Sequence, residues 1–177
     1  YFATAAVAVV ITDATAAFPE AGKAVHRAVV TLEGATLITF DVVAGGPKAT
    51  WTLEDGESLW RKSIPFSNGT SDQVVTNVIA RREVPRVIDI SAIDLAGVQI
   101  GQYAVLFYVD IRGGRSAVFF DAPNGDKLTV VIGGAAPGIW EIWRNGWLDE
   151  PKCLVTAATN TLYYEGKAGG YFLRRTQ

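Results

Sequence analysis

Carboxylates are the one catalytic side chain in good supply. Glu54, Asp55 and Glu57 stand around Gly56, and a glycosidase needs only two carboxylates about 5–10 Å apart. Adjacent acids in a solvated turn stay ionised, so these three read as an acidic turn, with a carboxylate-based glycosidase as the outermost alternative. Asp121, Asn124 and Asp126 could offer oxygens to calcium along one turn. They lack the glutamate and the residue frame of an EF-hand, and Asn124-Gly125 already accounts for that turn as a hairpin. No metal and no cofactor is expected.

The other chemistries lack their side chains. His26 is the single histidine, and it has no serine or cysteine close in sequence for a nucleophile–base pair. One histidine and one cysteine are too few for a zinc site. Cys153, followed by Leu154 and Val155, reads as a small buried hydrophobe. Gly114-Arg115-Ser116-Ala117-Val118 lacks the second glycine of a nucleophile elbow. Gly133-Gly134-Ala135-Ala136-Pro137-Gly138 lacks the Lys-Ser/Thr of a P-loop and reads as a turn between strands. The expectation is a protein that is not an enzyme.

The aromatic residues carry more. Trp140, Trp143 and Trp147 crowd one hairpin, with Tyr163, Tyr164, Tyr171 and Phe172 following. Trp140 and Trp143 are an odd number of positions apart, so in a strand they face opposite sides of the sheet. One side packs on the core; the other covers a loop, meets a partner subunit or stacks on a sugar ring. Trp140, Trp143, Trp147, Tyr163 and Tyr171 are the candidate partner or glycan contacts. Asn68-Gly69-Thr70 fits the N-glycosylation sequon in a loop.

Composition sets the frame. The chain has 177 residues, 49% hydrophobic, 11% aromatic and only 19% charged, with a formal net charge of −2. That length suits one domain, expected over 1–177, and the hydrophobicity excludes disorder. A net negative chain argues against nucleic-acid binding. Arg81-Arg82 and Arg174-Arg175 read as solvated strand ends. With no methionine in the sequence, Tyr1 is expected to follow processing or trimming. The apolar stretch from Tyr1 to Ile11 is too short for a membrane-spanning helix. It alternates Val7, Val9 and Ile11 with other apolar residues, as a strand buried on both sides would. Residues 1–18 could instead form an N-terminal arm that adds a strand to a neighbouring subunit, through Val7, Val9 and Ile11.

These groups must be held by strands. No long segment keeps a helical period; the best candidate, Glu20 to Leu32, is read as strand opened by a short turn after Pro19, because its β-branched Val29, Val30 and Thr31 run into Gly34. Short β-branched and aromatic runs follow, including Thr36–Val43, Gln73–Ala80, Arg86–Ile90, Tyr103–Ile111, Ser116–Asp121, Lys127–Ile132 and Ile139–Trp143. Glycine pairs and Asn-Gly between them supply the positive φ of tight hairpins. The fold expected is all-β, an antiparallel β-sandwich of immunoglobulin-like or jelly-roll-like form, with a barrel as the alternative. Gly101-Gln102-Tyr103 followed by Ala104 to Asp110 resembles the tyrosine-corner strand of immunoglobulin-like sandwiches. The resemblance covers one hairpin, and it implies a sandwich module of the kind found in phage virion or extracellular assembly proteins.

The function expected is therefore a structural subunit of a viral assembly (phage decoration, tail or baseplate) or of an extracellular filament. It would sit in the virion or outside the cell, with copies of itself or other structural subunits as partners. The first alternative is a glycan-binding sandwich module.

Overall fold

The structure, a computed structural model, describes residues 1–13, 25–43, 57–65, 73–81, 83, 86–108 and 116–176. The chain divides into two compact units, Tyr1–Pro85 and Arg86–Gln177. Every regular element among the described residues is a strand, so no helix there is long and apolar enough to cross a membrane.

The first unit is one antiparallel sheet. Its strands are β1 (Phe2–Ala3), β2 (Val7–Asp13), β3 (Val25–Leu32), β4 (Thr36–Val43), β5 (Glu57–Pro65) and β6 (Gln73–Arg81), in the order β1-β2-β3-β4-β6-β5. Glu33 and Gly34 both take positive φ, 50° and 66°, which gives the three-residue connection from β3 to β4 the twist its strands need. Alternation places Val9, Val30, Ile38 and Val78 in one cross-strand row, each at most 2% exposed. The opposite face carries a buried polar row. Asp41 takes the guanidinium of Arg27 at 2.5 Å, and Asn77 donates to Thr39 at 3.0 Å while accepting from Arg61 at 2.7 Å. Thr39, Asp41 and Asn77 are all fully buried. They tolerate that because each is hydrogen-bonded across the ladder.

Val7, Val9 and Ile11 lie in β2, opposite Leu32, Val30 and Ala28 of β3, within the chain's own sheet. Burial on both faces does not extend to Val10, which is 42% exposed. Glu57 is the first residue of β5. His26 lies in β3. Residues 14–18, Glu54, Asp55, Asn68 and the Arg112–Arg115 turn lie outside the described residues.

The second unit is a two-layer sandwich. Its strands are β7 (Val87–Asp89), β8 (Leu95–Ile100), β9 (Tyr103–Tyr108), β10 (Ala117–Ala122), β11 (Leu128–Gly133), β12 (Gly138–Arg144), β13 (Trp147–Val155), β14 (Thr161–Gly166) and β15 (Gly169–Arg175). One sheet runs β14-β11-β9-β8-β7 and the other β10-β15-β12-β13. Their inner faces share a core that joins Leu95, Leu106, Val130 and Leu162 of the first to Phe120, Trp140, Ile142 and Leu173 of the second. The all-β sandwich expectation holds, and neither sheet closes into a barrel.

The connections differ from the expected hairpins. β9 and β10 belong to different sheets, and so do β10 and β11, β11 and β12, and β14 and β15. The described segments bearing Gly125, between β10 and β11, and Gly134, between β11 and β12, carry the chain from one layer to the other. Strands β9 and β11 pair in parallel, which becomes possible because the chain leaves through β10 and returns. Two tight hairpins remain in this unit: β8–β9 across Gly101-Gln102, and β12–β13 across Asn145-Gly146, with φ 50° and 83°.

Candidate functional site

The outer face of the four-stranded sheet is built in rows, because cross-strand partners share a side. Registers align Phe119 of β10, Phe172 of β15, Trp143 of β12 and Leu148 of β13 in one line. Strands lie about 4.8 Å apart, so the line runs roughly 14 Å across the sheet. Phe119 and Phe172 stack with centroids 4.5 Å apart and planes at 22°. Phe119 is 66% exposed, an unusual position for a large apolar ring on an isolated sheet face. Phe119, Phe172 and Trp143 floor an open groove of about 740 Å³, bounded also by Ser91, Ala92, Pro123 and Gly146. That size lies within the usual ~300–1,000 Å³ of ligand sites.

Polar rows flank the aromatic one. On one side Arg174 stands between Ala117 and Glu141. Its Nη2 and Nε donate to Glu141 Oε2 at 2.7 and 3.2 Å, and Trp143 Nε1 donates to the same oxygen at 3.4 Å. The tryptophan ring is thereby tied to the ion pair beside it. On the other side Asp121 pairs with Gly170, whose amide donates to Asn145 Oδ1 at 2.8 Å. Asn145 N donates in turn to the Gly170 carbonyl at 2.8 Å, fixing the β12–β13 turn against β15.

A second cluster locks one end of the sandwich. Arg144 grips Asp149 through Nε at 2.8 Å and Nη2 at 3.3 Å, and Tyr164 of the other sheet donates to Asp149 Oδ2 at 2.5 Å. Tyr171 donates to the Lys167 carbonyl, and its pKa is pushed up to about 12, chiefly by burial. Burial and the Asp149 carboxylate push Tyr164 higher still. These phenols stay neutral donors at any physiological pH.

The hydrogen bond from Arg174 holds the Glu141 carboxyl below its ordinary 4.5, and that from Arg144 holds Asp149 below its ordinary 3.8. A carboxyl whose folded pKa is lowered adds stability above its unfolded value, and this is lost as pH falls through the folded value. Thermal stability is therefore expected to be level from pH 8 to about 5 and to fall below about 4. In Glu141→Gln and Asp149→Asn the acid limb should be shallower, as melting temperature against pH would show. A parallel acid limb in both variants would mean that neither pair contributes.

The five aromatic candidates have different fates. Trp143 lies half-buried on the outer face, as the opposite-faces argument allows. Trp140 is 1% exposed in the core, with Nε1 donating to the Ala136 carbonyl at 3.0 Å, so it cannot touch a partner. Tyr171 lines the groove from within, stacked on Phe120 at 5.0 Å. Trp147 is 80% exposed just beyond the Asn145-Gly146 turn. Tyr163 lies on β14 of the other sheet and donates to Glu165 at 2.9 Å. Cys153 is half-buried, its thiol donating to the Tyr163 carbonyl at 3.4 Å, and burial raises its pKa.

Asp121, Asn124 and Asp126 are exposed, with the Asn124 carbonyl taken by Gln99 Nε2 at 2.5 Å. No set of three His, Cys, Asp or Glu side chains able to hold a metal occurs among the described residues. The sequence reading missed Phe119 and the pairing of Arg174 with Glu141. The available signal was the run Ala117–Ala122, in which Phe119 and Asp121 share the side opposite Val118, Phe120 and Ala122.

Residues 89–175 match the family model of the heparinase II C-terminal domain. The similarity covers nearly all of the second unit and none of the first. No curated protein matches the chain.

Proposed function

We propose that the second unit is a non-catalytic glycan-binding module, which lays a saccharide chain across Phe119, Phe172 and Trp143. The observation that carries this reading is the register-aligned aromatic row, left open along the floor of a groove. A pyranose ring presents a face of C–H hydrogens, slightly positive, which suits the negative face of an aromatic ring. Its rim of hydroxyls then needs donors and acceptors alongside, and the two polar rows provide both. Similarity to the C-terminal domain of an enzyme named for a polysaccharide supports the same reading.

The assembly reading rested on the scarcity of catalytic side chains, the low charge, the aromatic hairpin and the apolar N-terminal strand; Val7, Val9 and Ile11 of that strand pair with β3 of the same chain. The glycosidase reading rested on Glu54, Asp55 and Glu57, of which Glu54 and Asp55 lie outside the described residues. The test is a glycan array probed with the whole chain, with and without calcium. Retention of at least one oligosaccharide, weakened in Trp143→Ala, is expected; no retention under either condition would overturn the proposal.

A further inference from the structure

We infer that the groove takes an uncharged saccharide, not a sulfated or carboxylated one, and that Asp121 contacts and orients it. The inference rests on the glycan-binding reading and deepens it. Among the described residues that line the groove, the charged side chains are Asp89 and Asp121, both acids. The cation of the neighbouring row, Arg174, is committed to Glu141 through two nitrogens, so its field is cancelled locally. Among the described residues that line the groove, a polyanion meets like charge and no counter-charge, an arrangement that selects against it.

Asp121 has what an uncharged ligand requires. It is exposed, and no described group donates a hydrogen bond to it. Its cross-strand partner is Gly170, where an added Cβ would come within 3.0 Å of Asp121 Oδ1. The missing side chain keeps the space beside that oxygen clear. A carboxylate has two accepting oxygens, and hydrogen bonds to an ionised acceptor are about twice as strong as neutral ones. Two neighbouring hydroxyls of a ring stacked on Phe172 and Trp143 can donate to it as a pair.

The whole chain, wild type and Asp121→Asn, should be titrated with neutral oligosaccharides (gluco-, manno- and chito-oligomers) and with heparin at low ionic strength, after melting curves show both proteins folded. A neutral oligomer should bind with little salt dependence, and Asp121→Asn should weaken it about tenfold. Heparin should not bind. Heparin bound through this face, with binding weakened in Trp143→Ala, would overturn the inference and leave the glycan-site reading standing. Neutral binding unchanged in Asp121→Asn would remove Asp121 from the contact. Failure of every saccharide to bind would sink both.

Discussion

Trp140→Ala is expected to destabilise the second unit by about 3–5 kcal/mol, the cost of deleting a buried aromatic side chain. The ring is 1% exposed, 6.5 Å from the Tyr108 ring, and lies in the core shared by both sheets. Removing it opens a void between the layers that cannot easily collapse, because strands on either side are fixed by their ladders. It also strips the Ala136 carbonyl of the indole N–H that it accepts at 3.0 Å. A small domain has only about 5–15 kcal/mol to lose, so the variant should melt far below the wild type or fail to fold. Trp140→Phe keeps part of the volume and loses the hydrogen bond, and should fall between the two. Trp147→Ala, 80% exposed, should change stability by no more than about 0.5 kcal/mol. Denaturant unfolding of the three variants checks the order; a Trp140→Ala protein as stable as the Trp147→Ala protein would refute the core assignment.

That contrast marks what the sequence could and could not say. Strand positions were legible where alternation was clean: Thr36–Val43 is β4 as read, and Gln73–Ala80 is β6 to within one residue. The odd spacing of Trp140 and Trp143 gave opposite faces, but not which face was buried. That choice depends on residues of other strands that share the core with Trp140, such as Phe120, Tyr171 and Tyr108. Pairing was the least legible. A glycine turn reports positive φ, as at Gly125 with φ 113°, and says nothing about which sheet the next strand joins. Only strands whose partner follows after two residues, β8–β9 and β12–β13, declare their pairing locally. The aromatic row was hidden for the same reason. Phe119, Trp143 and Phe172 come from β10, β12 and β15, and only the order β10-β15-β12 lines them up.

Trp143→Ala should weaken saccharide binding about 30-fold, or about 2 kcal/mol, while leaving the fold intact. Trp143 sits inside the row, between Phe172 and Leu148, so a bound chain cannot avoid it whichever way it runs along the groove. Its Nε1 contact with Glu141 at 3.4 Å limits the ring's rotation, so little freedom is lost when a sugar settles on it. Phe119, at the edge strand, holds only the end of the line, and its loss should cost less. The fold should survive because the ring is half-exposed and the inner side of β12 keeps Trp140 and Ile142 in place. Trp143→Phe retains a stacking face and should keep most of the affinity, while Trp143→Leu keeps bulk without a π face and should not. That last pair separates stacking from simple apolar coverage. Calorimetric titration of each variant with the best neutral oligosaccharide, paired with its melting curve, gives the reading. A folded Trp143→Ala protein that binds as tightly as wild type would show that the saccharide does not lie on this row.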